Sequence, residues 1–252
     1  MDERRDTRVI GTLVPSSPDP EPATIVRDAL RLHHEGADLV DLDTMPDGPF
    51  AAVGAASLAL LIRGISEAGV PVAVTTTRAA IARVALERGA RWILDPSGTT
   101  ADPEMIRVAA RPSFAGWAIG PWSGATQAGA GDGPDAYMYG LVRNLAALLA
   151  AGVRSERIVL NASAGLAADS TDSWLMVGEL ERVRALGYPV LVDGRDEMLA
   201  TMTSDESPAH LGDAAVGVAV LAVGARAWAI RTRQVGRVAE TVGRMLEPRR
   251  SA

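Results

Sequence analysis

One phrase recurs along this chain: a helix-periodic stretch, a glycine, a short link, then a run of apolar β-formers. It reads EGADLVDL from Glu35, AGVPVAVT from Ala68, RGARWILD from Arg88, AGVRSERIVL from Ala151, LGYPVLVD from Leu186 and VGARAWAI from Val223. Strands that are each reached through a helix pair in parallel, because every crossover returns the chain to the same end of the sheet. Candidate strands are Arg8–Leu13, Leu39–Leu42, Val72–Thr75, Trp92–Leu94, Phe114–Ile119, Ile158–Asn161, Val190–Val192 and Trp228–Ile230. Eight such units predict a closed TM-free α/β fold of the TIM (β/α)8 barrel type. The competitor, an open doubly wound sheet, usually carries a Gly-rich loop after its first strand, and Val14–Pro20 holds no glycine.

Helices are expected near Pro22–Glu35, Ala55–Ala68, Arg78–Arg88, Pro103–Ala110, Pro134–Ala151, Ser173–Leu186, Pro208–Val223 and Gln234–Leu246. Pro22, Pro103, Pro134 and Pro208 stand where a first helical turn accepts proline. Gly36, Gly69, Gly89, Gly152, Gly187 and Gly224 follow the last periodic residues and suit left-handed caps. Ser123–Gly133 reads as a long glycine-rich loop. The expectation is one barrel domain over residues 1–252, with 1–7 and 248–252 as flexible tails.

Composition removes several chemistries. All 25 basic residues are arginine, so a Schiff-base lysine or a phosphate-loop lysine is impossible. Without cysteine there is no thiolate nucleophile or ligand. A net charge of −6 argues against binding a nucleic-acid backbone. Apolar runs such as Ala55–Ile62 and Ala214–Val223 are too short to span a bilayer, and Met1–Thr7 precedes no apolar signal stretch. The expected setting is cytoplasmic, without membrane or nucleic-acid partners.

A barrel of this kind binds its ligand at the C-terminal strand ends. The residues to weigh there include Val14, Ser16, Asp41, Asp43, Thr44, Thr75, Thr76, Thr77, Asp95, Trp117, Asn161, Ser163, Asp193, Arg195, Asp196, Arg231 and Arg233. Arg231 and Arg233 alternate at the end of strand eight, and their guanidinium forks suit a phosphate; the plainer reading is caps and surface ion pairs. Asp95 can accept N–H groups of a heterocycle, or can simply cap the Asp-Pro turn it begins. Trp117 can stack on a flat ligand at the mouth. Trp92, Trp174 and Trp228 read as packing residues. His33, His34 and His210 assemble no triad and no metal cluster.

Across Val9–Met245 the residues resemble dihydropteroate synthase, the barrel that joins a pterin diphosphate to p-aminobenzoate. EGADLVDL, PVAVTTTRAAIARVALERGA, ILDPSG, RIVLN, GYPVLVDGRD and AIRTR carry the likeness, in order. The resemblance implies a pterin site at Asp95, Asn161, Arg195, Trp117 and Thr75, phosphate contacts from Arg231 and Arg233, and a homodimer. It also implies departures. Val14 stands at the metal-linked asparagine, which weakens the case for Mg²⁺, and Thr75 stands at the third-strand aspartate. Leu94 replaces the asparagine before Asp95, and Asn161 replaces the strand-six aspartate. Gly194, Arg195 and Asp196 stand for Ser-Arg-Lys, and Arg233 for the terminal histidine. Nothing in Val14–Glu21 or Thr44–Pro49 matches the family's first flexible loop or its Ser-Thr-Arg-Pro segment.

Three functions are therefore expected candidates. One is a diverged barrel without ordinary dihydropteroate synthase activity that binds an altered pterin-like or phosphorylated ligand. Another is a working transferase of the same reaction type. A third is a non-catalytic, partner-binding or regulatory barrel.

Overall fold

The computed structural model describes residues 7–15, 20–111, 115–120, 134–162, 179–194, 196, 199–200 and 207–247. Eight parallel strands close on themselves: β1 (Arg8–Thr12), β2 (Leu39–Asp43), β3 (Val72–Thr75), β4 (Trp92–Asp95), β5 (Gly116–Ile119), β6 (Ile158–Asn161), β7 (Val190–Gly194) and β8 (Ala229–Thr232). The ring is sealed where β1 pairs with β8, Val9 opposite Ile230. This settles the open-sheet alternative. The described helices are α1 (Pro22–His34), α2 (Ala55–Glu67), α3 (Ala79–Glu87), α4 (Glu104–Ala109), α5 (Pro134–Ala150), α6 (Leu180–Arg184), α7 (Pro208–Gly224) and α8 (Val235–Leu246).

Alternation along each strand sorts the side chains. One residue per strand (Ile10, Leu39, Ala73, Leu94, Ala118, Val159, Leu191 and Ala229) forms a separate apolar cluster inside the ring. The intervening residues, such as Val9, Val40, Val74, Ile93, Leu160, Val192 and Ile230, join the larger core between strands and helices. That double burial explains why the strands read as near-continuous apolar runs. In α1, Ile25, Ala29 and Leu32 recur at helical spacing and are buried. Truncating a filled position such as Ile10, fully buried in the inner cluster, costs about 2–5 kcal/mol.

Two local details differ from the sequence reading. Strands β2, β4, β7 and β8 run one or two residues further, because Asp43, Asp95 and Gly194 stay in register with Thr75, Ile119 and Thr232 although the apolar run has ended. Ladder hydrogen bonds, not side-chain polarity, decide where a strand stops. Gly224 is the last residue of α7 rather than its cap; the left-handed position two residues on belongs to Arg226, at φ +52°. In α1 the same position is held by Gly36, at φ +110°.

Candidate functional site

The alternation that buries the inner cluster also fixes what stands above it. Thr12, Asp41, Asp43, Thr75, Asn161, Asp193 and Arg231 share parity with inward neighbours and therefore face the axis toward the C-terminal mouth. All seven are buried. On the β4–β5 side the inner positions are Leu94 and Ala118, with Leu94 in register with Thr75. One wall of the mouth is polar and the other is apolar.

The polar wall is organised around one arginine. Arg231 is 2% exposed, and each of its three side-chain nitrogens is engaged. Nε donates to Asp41 at 2.8 Å, Nη2 donates to Asp41 and Asp43 at 2.6 Å each, and Nη1 donates to Asp193 at 3.2 Å. The other Asp41 oxygen accepts from the Thr75 hydroxyl at 2.9 Å. The second oxygen of Asp43 takes the Met45 N–H at 2.9 Å, tying the loop after β2 to the same centre. Three carboxylates around one guanidinium leave the cluster formally two charges negative. The titration behaviour follows. Burial lifts Asp41 to about 6, with Arg231 opposing and Asp43 adding to the rise. Burial alone would lower Arg231, but the three carboxylates outweigh it and hold it well above the usual arginine range.

The expected site residues therefore separate. Thr75, Asn161 and Arg231 face the mouth as required. Asp95 does not: parity turns it outward, and its carboxylate accepts from the Ser97 N–H (3.0 Å), the Ser97 hydroxyl (2.6 Å) and the Thr99 N–H (2.7 Å). It is the buried cap of its own turn, lifted by burial to about 6. Gly98 completes that turn at φ +57°, where Asn144 of α5 donates to the Ser97 and Gly120 carbonyls. Trp117 is likewise turned away from the mouth and lies fully buried in the strand–helix core. Arg233 lies beyond the end of β8 and pairs with Asp196 at 3.6 Å. Arg195, Ser16, Ser163 and Trp174 lie outside the described residues.

Mg²⁺ fits this donor set poorly. Val14 is 53% exposed and its side chain has no donor atom. The mouth carboxylates are already committed to a guanidinium, whose charge repels a cation in their midst. Among the described residues no group of three or more His, Cys, Asp or Glu side chains is placed to hold a metal. His33 and His210 serve helix ends, the former against the Ala37 carbonyl at 2.7 Å and the latter against the Ser207 hydroxyl at 2.6 Å. Among the described residues no helix is long and apolar enough to cross a membrane.

A closed parallel barrel with a polar cluster gathered at its C-terminal mouth defines a small-molecule-binding β/α barrel. The chain belongs to the pterin-binding enzyme family, whose model matches residues 19–233. It is 27% identical over 183 residues to the dihydropteroate synthase of Mycobacterium leprae, a match covering 68% of this chain and 64% of that one. The match thus spans less than two thirds of that relative's length. A dihydropteroate synthase type-2 of Escherichia coli is 26% identical over 225 residues, covering 84% and 83%. Among solved structures, the dihydropteroate synthase of Burkholderia cenocepacia superposes with a TM-score of 0.76 at 25% identity, covering 96% of this chain and 90% of that one. A Xanthomonas albilineans enzyme in complex with 7,8-dihydropteroate gives 0.79 at 19%, covering 100% and 96%, which shows the same fold.

Proposed function

We propose that this barrel binds a flat, N–H-rich pterin-like ligand at its mouth and does not carry out ordinary dihydropteroate synthesis. The observation that carries this reading is the closed cage of Asp41, Asp43 and Asp193 around Arg231. A diphosphate needs strong donors that are free when it arrives. Arg231, the residue the family resemblance assigns to phosphate, already spends its three nitrogens on carboxylates. A second anion brought there meets a cluster that is formally negative. The same cluster suits the N–H edge of a heterocycle, with Asn161 offering both a donor and an acceptor. Leu94 and Ala118 supply an apolar wall for the ring face. The departures from the family's motif at Val14, Thr75, Leu94 and Asp196 point the same way.

Calorimetry with 6-hydroxymethyl-7,8-dihydropterin and with its diphosphate tests the reading. Binding of the first, no gain from the diphosphate, and no product from pterin diphosphate, p-aminobenzoate and Mg²⁺ are the expected results. Asn161→Ala weakens the pterin by roughly 5- to 100-fold, the loss of one buried hydrogen-bonded partner. Robust turnover, or rescue of a strain lacking its own dihydropteroate synthase, overturns the proposal in favour of an active transferase. That second reading draws on the family match across residues 19–233. We also expect a homodimer, with α7 as the contact: Ala214–Ala225 contains no polar side chain, and Val220 and Leu221 are exposed there. Light scattering after Leu221→Glu checks it; an unchanged mass counts against α7.

A further inference from the structure

At the end of the barrel opposite the mouth, the N-terminal strand ends surround a cavity of about 660 Å³. Its lining includes the indoles of Trp92 on β4 and Trp228 before β8, whose ring centroids lie 4.3 Å apart with planes inclined at 45°. Gly116 on β5 lies directly against the Trp92 ring, so that any Cβ there would overlap it. The missing side chain is what lets the indole lie close over the strand. The Arg8 guanidinium sits 5.5 Å from the Trp228 ring centre, within cation–π range.

The charge around these rings runs against the rest of the molecule. Among the described residues, four arginines (Arg8, Arg91, Arg154 and Arg157) line the cavity against two acids, Asp38 and Glu156, in a chain whose net charge is −6. Asp38 is turned toward the backbone, where it accepts the Val9 N–H at 2.8 Å. Arg157 is held by the Ala115 and Arg111 carbonyls at 2.8 and 3.2 Å. Its pKa is lowered, by burial first and then by the neighbouring charge of Arg154. Arg91 and Arg154 are exposed, and among the described residues neither side chain has a hydrogen-bonded or ion-paired partner. Several exposed arginines elsewhere are ion-paired, Arg31 with Glu35, Arg63 with Glu67 and Arg107 with Glu104; others, such as Arg83 and Arg226, have no such pair among the described residues.

The lower end of such a barrel ordinarily serves stability, and a packed tryptophan pair closes it well. Closure does not account for uncompensated arginines gathered at the rim. A cleft with an aromatic floor and one sign of charge concentrates ligands of the opposite sign, and a volume of this size is that of a small-molecule pocket. We propose that this cavity is a second binding site, separate from the mouth, for a flat aromatic carboxylate. The ring packs on Trp92 and Trp228 while the carboxylate is held between the forks of Arg91 and Arg154.

The probe is 2-naphthoate, with 2-naphthol as the ring without the charge and acetate as the charge without the ring. Saturable binding of 2-naphthoate by calorimetry is expected, with perturbed indole N–H signals for Trp92 and Trp228, and affinity at least about tenfold lower for each partial probe. Arg91→Ser/Arg154→Ser changes only exposed side chains; with the melting temperature retained, it is expected to lower naphthoate affinity about tenfold or more. Asn161→Ala, at the mouth, leaves that affinity unchanged. Absent saturation, naphthol binding as well as naphthoate, an indifferent double variant, or loss of binding in Asn161→Ala each overturns the proposal.

Discussion

Replacing Arg231 by methionine tests whether the cage at the mouth is a structural centre or an anion clamp waiting for a ligand. The substitution keeps much of the volume but removes the one cation among the described residues that faces Asp41, Asp43 and Asp193, with Arg231 2% exposed and its nitrogens 2.6–3.2 Å from their partners. Taking one partner from a buried ion pair typically costs about 3–5 kcal/mol, because the other charge is left uncompensated. The protein can escape by protonating carboxyls, which sets a ceiling that depends on pH. Neutralising one carboxyl of ordinary value 3.8 costs at most about 6 kcal/mol at pH 8 and about 2 at pH 5.5. Asp41 already reaches about 6 with the arginine present, and losing Arg231 removes a lowering influence, so protonation is the available route. Urea unfolding of Arg231→Met is therefore expected to show a loss of about 3–5 kcal/mol at pH 8 that shrinks by at least about 1 kcal/mol at pH 5.5. A clamp with spare donors would cost little to remove. A loss below about 1 kcal/mol at pH 8, or an equal loss at both pH values, would refute the reasoning.

Three further outcomes follow from named contacts. Burial raises the folded-state pKa of Asp95 from 3.8 to about 6, so the folded form holds a proton the unfolded chain releases; stability falls as pH rises from about 4 to about 6 and levels above. Asp95→Asn should flatten, though not abolish, that slope in pH-dependent unfolding, since Asp41 contributes in the same direction. Among the described residues the buried Thr12 hydroxyl has no hydrogen-bond partner, so Thr12→Val is expected to leave stability unchanged or raise it by about 1 kcal/mol in thermal melts. A marked loss would show a partner at that hydroxyl. Gly98→Ala forces a Cβ into the Asn144 side chain and the Gly120 carbonyl at a positive φ; the expected cost is about 2 kcal/mol or more, read as a lowered melting temperature.

The order and number of the strand–helix units could be read from the sequence because they rest on local chemistry: periodicity, prolines at helix starts and glycines after helix ends. Closure of the ring followed from the count of units and the absence of a glycine after β1. Membership of the polar cluster was half legible. LVDLD and VLVD display aspartates in phase with inward positions, yet nothing in them says that three acids share one arginine. The sequence separation involved, 190 residues from Asp41 to Arg231, is about three quarters of the chain. Asp95 and Trp117 show the limit most clearly. Asp95 ends β4 and Trp117 lies on β5, where a ligand-facing role reads well, and a shift of parity by one residue turns each to the opposite face.

By itself, then, the sequence determined the barrel, the chemistry excluded by having neither lysine nor cysteine, and the family. Those depend on nearest neighbours and on residue type. Which polar residues meet, which arginine is consumed by acids and which stays open at the far end were decided only when eight strands closed around one axis. Closure brings together side chains that no local pattern couples, and their charges then interact in a nearly water-free space where each pairing outweighs the propensities that built the strands.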